Sequence, residues 1–276
     1  VELLAINNFI SNGFPDININ SIPSWDCLPY DISSPNYNII SERIKTFTNL
    51  SFSNQTSSIN NLFLTTINGL LIKTAPKKFY SSNFLKIINS DENSFKIIND
   101  FLIKVVYNRV QTVRELGEFS IRGSILDIFP IGYDHAVRID FLGEKIETIK
   151  KMDPLTQRSG ELLEYVNIYL PNEYLLNEKT IENFRTKFRA FKGLDSKNNV
   201  IYEKVSSGIK FDGIEHFLPL FHKNTLNSFF DFIPQNKVPK FVFTKNFSNQ
   251  IDERFEEIDN FYESRKIEMS DNAIIK

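Results

Sequence analysis

Apolar and polar residues alternate most cleanly between residues 117 and 159, GEFSIRGSILDIFPIGYDHAVRIDFLGEKIETIKKMDPLTQRS. Phe119 and Ile121 alternate with polar neighbours, and Val137, Ile139 and Phe141 do so again, at the two-residue period of half-buried strands. Residues 130–135 carry the Pro/Gly/Asp chemistry of a loop, and Leu142-Gly143-Glu144-Lys145 supplies a tight turn into residues 146–149. The stretch therefore predicts a compact antiparallel β unit. With Val137, Ile139 and Phe141 turned inward, strand geometry turns Arg138, Asp140 and Leu142 outward. The same parity count sets Arg122 opposite Phe119 and Ile121. Two arginines and a leucine are thus expected on one outer face.

Elsewhere the pattern is that of an α/β chain. Residues 1–13 place Leu3, Leu4, Ile6, Phe9 and Ile10 on a broad apolar side, the tail of a helix without N-terminal partners, so truncation is expected there. Pro23, Pro29 and Pro35 forbid a regular helix over residues 22–36 and predict an ordered loop carrying Trp25 and Tyr30. A short amphipathic helix is expected over residues 41–50 through Ile44, Phe47 and Leu50. The β-branched, apolar run 62–67 and a short helix through Leu70, Leu71 and Ile72 continue the helix–strand–helix alternation. Residues 74–78 break it and set a first domain boundary.

Residues 84–88 then read as a strand. Residues 92–106 read as a helix with Phe95, Ile98, Phe101, Leu102 and Val105 on one face and Asp91 as its N-cap. Past the β unit, a strand is expected over 162–170 and a helix over 177–191, striped by Ile181, Phe184, Phe188 and Phe191. A further helix is expected over 198–207, a loop over 208–221 and a short strand over 240–244. A charged helix over 250–266 has Ile251, Phe255, Ile258, Phe261 and Tyr262 as its stripe. The expected fold class is α/β with an inserted α+β module that contains the antiparallel β unit. The division is 1–76, 77–153 and 154–276.

Composition narrows the function. The 276 residues suffice for a sizeable core and for more than one domain. A net charge of −2 argues against a dominant non-specific grip on nucleic acid, which needs many Lys/Arg–phosphate contacts. The single cysteine, Cys27, excludes an internal disulfide framework and fits a reducing compartment. No apolar run approaches the roughly 20 residues that span a bilayer. The start, Val1-Glu2-Leu3-Leu4, lacks the basic region of a signal peptide.

Candidate chemistry is sparse. None of the ten glycines belongs to G-x-x-x-x-G-K-[ST] or G-x-G-x-x-G, so no loop is offered to a triphosphate. The pairs Asp91-Glu92 and Asp252-Glu253 lack an apolar strand to present them to a metal and read as solvated helix starts and faces. His135, His216 and His222 are scattered, without the spacing of a metal site. No Gly-x-Ser-x-Gly elbow appears. Cys27 has no histidine near it in sequence and reads as a small buried residue. Trp25 and Tyr30 offer either a stacking platform for bases or packing for their loop, and packing is the better reading. No catalytic residue, cofactor site or metal site is expected. A binding face remains. Arginine suits interface hot spots because its planar fork makes several directed bonds. The competing reading is that Arg122 and Arg138 merely pair with Asp127, Asp140 or Glu118 on a solvated sheet.

Three runs carry a family resemblance. They are GEFSIRGSILDIFP from residue 117, Val137-Arg138-Ile139-Asp140-Phe141, and Asp153-Pro154-Leu155-Thr156-Gln157-Arg158-Ser159. Together they resemble the UvrB-interaction module shared by the excision-repair helicase UvrB and the transcription-repair coupling factors (Mfd). Trp25-Asp26-Cys27-Leu28-Pro29-Tyr30-Asp31 with Ser34-Pro35, Leu170-Pro171-Asn172-Glu173, and GIEHFLPLF from residue 213 favour the coupling factors.

The resemblance implies UvrB-like N-terminal domains: a domain 1a over 1–76 without a Walker A loop, the inserted module over 77–153, and a domain 1b with the start of a linker over 154–276. It implies that the module recruits UvrA through Arg122 and Arg138, with Leu142 where the family usually has an aromatic. ATP-driven translocation on double-stranded DNA, displacement of stalled RNA polymerase, and the ATP and Mg sites are implied for later domains of the full-length protein. It further implies a monomer in the bacterial cytoplasm whose docking face a distant C-terminal domain can mask. The rival readings are a fragment of a UvrB-type helicase and a single-strand nucleic-acid-binding module using Trp25 and Tyr30.

Overall fold

The computed structural model describes residues 2–52, 61–89, 95–192, 199–234, 239–243 and 247–272. Helix α1, Glu2–Gly13, leads into strand β1, Asn18–Ile22. The Ile/Asn alternation of β1 is a strand the pattern did not predict. Helix α2, Tyr37–Phe52, outruns the expected 41–50 span and buries Ile40, Ile44, Phe47 and Leu50. Strand β2, Asn61–Thr65, pairs with β1 in parallel, Asn18 facing Asn61 and Ile22 facing Thr65. Helix α3, Ile67–Leu71, starts at Thr66, whose hydroxyl accepts a hydrogen bond from the Gly69 N–H, satisfying a free amide of the first turn.

The break at residues 74–78 holds a short helix, α4, Lys77–Ser81, entered through Pro76. Strand β3, Leu85–Ile88, and helix α5, Phe95–Lys104, follow. Asp91 and Glu92, the expected N-cap and helix start, lie outside the described residues.

The predicted β unit is the largest sheet. Its strands are β4, Asn108–Arg109; β5, Glu118–Arg122; β6, Ile125–Ile128; β7, Ala136–Leu142; β8, Lys145–Met152; and β9, Ser159–Leu162. They lie side by side in that order, antiparallel except for the β4–β5 pair. Phe119, Leu126, Ile128, Val137, Ile139, Phe141 and Ile149 are buried on the inner face. Phe95 of α5 stands edge-on to Phe141 at 5.3 Å, and Ile98 and Leu102 of the same helix join that core. The inward parity of β5 and β7 is as expected.

Strand β10, Tyr165–Ile168, leaves this sheet and pairs antiparallel with β3. Of the single strand expected over 162–170, residues 165–168 form β10, while Leu162 is the last residue of β9 in the large sheet. Periodicity marks half-buried positions but does not name the strand that supplies the hydrogen bonds.

Helix α6, Glu178–Lys192, buries Phe184 and Phe188 but leaves Phe191 exposed. Helix α7, Val200–Ser206, is capped by the Asn199 side chain. Residues 208–221 are not a plain loop: a 3₁₀ turn, Ile214–Phe217, runs into helix α8, Leu218–Phe221. Pro219 sits in the first turn of α8, where a missing amide N–H costs nothing. Residues 240–243 form no strand, and Thr244 lies outside the described residues. Helix α9, Phe247–Asn272, is longer than expected; Phe255 and Tyr262 of its stripe are exposed, while Arg254 is buried.

One buried cluster runs from Ile22 through α2, α5 and the large sheet to Phe232, and a second gathers Tyr174, Phe184, Phe188, Val205, Ile214, Leu218 and Phe221. Among the described residues no helix is long and apolar enough to cross a membrane.

Candidate docking face

The outer face of the large sheet follows from register. Ser120, Asp127, Arg138 and Lys150 face one another in a row across β5, β6, β7 and β8. Arg122, Ile125, Asp140 and Thr148 form the next row, and Leu142 lies opposite Lys145 at the tip of the β7–β8 hairpin. Directly opposed residues share a face, so Arg122, Arg138 and Leu142 stand on the same side, as their parity predicts. The Leu142 side chain is 74% exposed, a large apolar group held out in water.

The two arginines differ. Asp127 has a side chain only 1% exposed, and both of its oxygens are occupied by guanidinium groups. Arg138 donates from Nε to Oδ1 at 2.7 Å and from Nη2 to Oδ2 at 2.9 Å, a two-pronged bond. Its Nη1 donates to the Gln157 carbonyl at 3.3 Å and to the Ser159 hydroxyl at 3.2 Å, leaving the side chain 16% exposed. The hydrogen bond to Asp127 raises the Arg138 pKa above the ordinary arginine value, against the opposing effect of burial. Arg122 donates from Nη2 to Oδ2 of the same carboxylate and remains 49% exposed. Arg122 thus keeps donors available to a partner, whereas Arg138 is mostly consumed within the sheet.

The pairing with Asp127 weighed above is therefore real, but it leaves one net positive charge on the cluster. Asp140 is engaged elsewhere, by the Thr148 hydroxyl at 2.6 Å and Lys150 Nζ at 3.1 Å. Burial works to raise its pKa, and those hydrogen bonds outweigh it and hold the carboxyl below the usual range. Glu118 accepts from the Arg114 and Glu115 backbone N–H groups. Gln157 and Ser159 are partners of Arg138 that the strand pattern gave no reason to name.

The remaining candidates make contacts within the chain. Trp25 packs edge-on against His216 at 5.5 Å, as the packing reading expects, while Tyr30 lies 4.8 Å from Tyr262 of α9 and remains exposed. The proline loop is pinned to the turn before α8: Ser34 Oγ donates to Glu215 and accepts from the Gly213 N–H. Cys27 is only half-buried, and His216, far away in sequence, comes within 4.0 Å of its sulfur. This pair is not an activated nucleophile. His216 Nε2 lies 3.1 Å from the Ser33 carbonyl, which can only accept, so that nitrogen carries the proton and cannot take one from the thiol. Burial, aided by Asp26, Asp31 and Glu215, pushes the thiol up to about 11. His135 contacts the neighbouring Asp134, and His222 is buried, donating to the Glu173 carbonyl. Among the described residues no cluster of three His, Cys, Asp or Glu side chains is placed to hold a metal ion.

Residues 85–174, which hold the whole candidate face, match the family model described as the UvrB interaction domain. The chain is similar to the transcription-repair-coupling factor of Rickettsia typhi, 38% identical over 216 residues that make up 78% of this chain and 19% of that protein. The same protein of Rickettsia conorii is 36% identical over 90% of this chain and 22% of its own length. That of Escherichia coli is 30% identical over 84% and 20%. The chain spans about a fifth of the length of these relatives.

Proposed function

We infer that the chain, similar to transcription-repair-coupling factors over most of its length, is the N-terminal, UvrB-like adaptor segment of such a protein, which docks UvrA through the outer face of β5–β8. The observation that carries this reading is the joint placement of Arg122, Arg138 and Leu142 on one exposed sheet face, inside the segment matched to the UvrB interaction domain. The chemistry suits a partner that offers an acceptor to a half-exposed guanidinium beside a pocket for an aliphatic side chain. Bonds from Arg122 give direction, and desolvation of Leu142 gives affinity.

In the same reading the segment is non-catalytic and divides at residues 76 and 153. The full-length protein is an ATP-dependent DNA translocase that acts on stalled RNA polymerase in the bacterial cytoplasm. ATP and Mg belong to parts of that protein other than this chain, whose sequence offers no triphosphate loop.

Titration calorimetry of the chain with UvrA tests the docking face. Arg122→Ala and Arg138→Ala are each expected to weaken binding by on the order of 2 kcal/mol. Unchanged binding by a folded double variant would remove this face from the interaction.

A further inference from the structure

The docking face contains a residue whose position the partner need not touch. We propose that Asp127 is the positioning residue of this face: one buried carboxylate locks Arg138 as a strut and aims the Arg122 guanidinium outward for the partner. The proposal rests on the docking reading above and adds to it how the two arginines are organised.

Asp127 lies in the middle of β6, opposite Ser120 of β5 and Arg138 of β7, with its side chain 1% exposed. A carboxylate placed there accepts three bonds from two guanidinium groups and is itself out of reach of a docking protein. The bond from Arg122 crosses the sheet diagonally, since Ile125 and not Asp127 is the residue directly opposite. A free arginine side chain samples many rotamers, and fixing it on binding costs conformational entropy. Tethering one amino group to a rigid, buried acceptor removes much of that freedom beforehand, while half of the side chain stays open to solvent. Arg138 braces the acceptor from the other side and is tied in turn to Gln157, just before β9, and to Ser159, its first residue.

Asp127→Asn separates position from charge. The amide is nearly isosteric but replaces one acceptor by a donor, which then faces an N–H group. It also adds a unit of positive charge to the face. Were the arginines acting only as charges toward an acidic partner, binding would tighten. The positioning role predicts the opposite sign, a loss of roughly tenfold in UvrA affinity for the full chain. The loss should vanish in an Arg122→Ala background, because Asp127 then has nothing to aim. In the free chain, the nuclear-spin relaxation order parameter at Arg122 Nε should fall in Asp127→Asn, a change that a merely structural role would not produce.

Tighter or equal binding by Asp127→Asn, or an equal loss with and without Arg122, overturns the proposal while leaving the docking reading intact. Unchanged binding by Arg122→Ala itself overturns the docking reading, and the proposal with it. Should Asp127→Asn fail to fold, Arg122→Lys serves instead, since it keeps the charge and the Arg138–Asp127 bonds. Binding as weak as that of Arg122→Ala supports positioning, and wild-type binding overturns it.

Discussion

Leu142 is the member of the proposed docking face whose contribution can be isolated most cleanly. It is mostly exposed at the tip of a hairpin, so little of the core depends on it. Leu142→Ser is expected to leave the unfolding free energy within about 0.5 kcal/mol of wild type, as at other exposed sites. The same change is expected to weaken UvrA binding by about 1–2 kcal/mol, the value of desolvating an aliphatic side chain. Calorimetry and urea denaturation of one protein stock check both halves; a large stability loss would show that the leucine belongs to the core instead. At this scale sequence was a good guide to direction and a poor one to partners. Parity placed Arg122, Arg138 and Leu142 outward, because a strand's side chains alternate whatever the rest of the fold does. It did not distinguish a half-exposed Arg122 from an engaged Arg138. That difference comes from Gln157 and Ser159, which the chain brings back in the loop after β8 and at the start of β9. Nor did it bring His216 beside Cys27, a contact across 189 residues.

The hairpin elements were legible because their turns are chemical as well as periodic. The β7–β8 loop is the two residues Gly143 and Glu144, and Gly143 has a φ of +65°, which a two-residue turn of the primed type requires at its first position. Nothing stands within 4 Å of the place a Cβ would take, so a substitution there meets only the backbone conformation. Gly143→Ala is therefore expected to cost about 1 kcal/mol through φ alone, read as a lower midpoint in urea. A neutral or stabilising effect would mean that the turn relaxes to another type. Elements without such punctuation were harder to read. The strand over 162–170 divides because Leu163 and Glu164 carry the chain from one sheet to another, and no Gly or Pro announces it. Residues 208–221 looked like a loop because Pro219 is a helix breaker in the middle of a helix but not in its first turn.

In the whole molecule, one buried ion pair gathers segments that sequence keeps far apart. Arg43 of α2 donates from Nε to Glu173 at 3.0 Å and from Nη1 to the Pro23 carbonyl at 3.2 Å. The other oxygen of Glu173 accepts from the Thr74 hydroxyl, which also meets Tyr80, and the Glu173 carbonyl accepts from His222. The proline loop, α2, α4, the segment after β10 and the end of α8 thus meet at two opposite charges. Removing one of them strands the other in a low dielectric. Arg43→Met is expected to destabilise the chain by about 3–5 kcal/mol, and pairing it with Glu173→Leu to recover much of the loss. Denaturation of the single and double variants checks the cycle, and equal stability of both would show that water already screens the pair.

No count along the chain could have joined Arg43 to Glu173, 130 residues away. What sequence determined by itself was local: strand parity, tight turns, the absence of a triphosphate loop, and long motifs specific enough to mark the family. Steric alternation, φ preference and side-chain chemistry act over a few residues, so they can be read without the fold. Which strand pairs with which, which arginine stays free, and which charges share a buried site were decided only in the tertiary structure. Those depend on distances between residues that the chain separates and packing brings together.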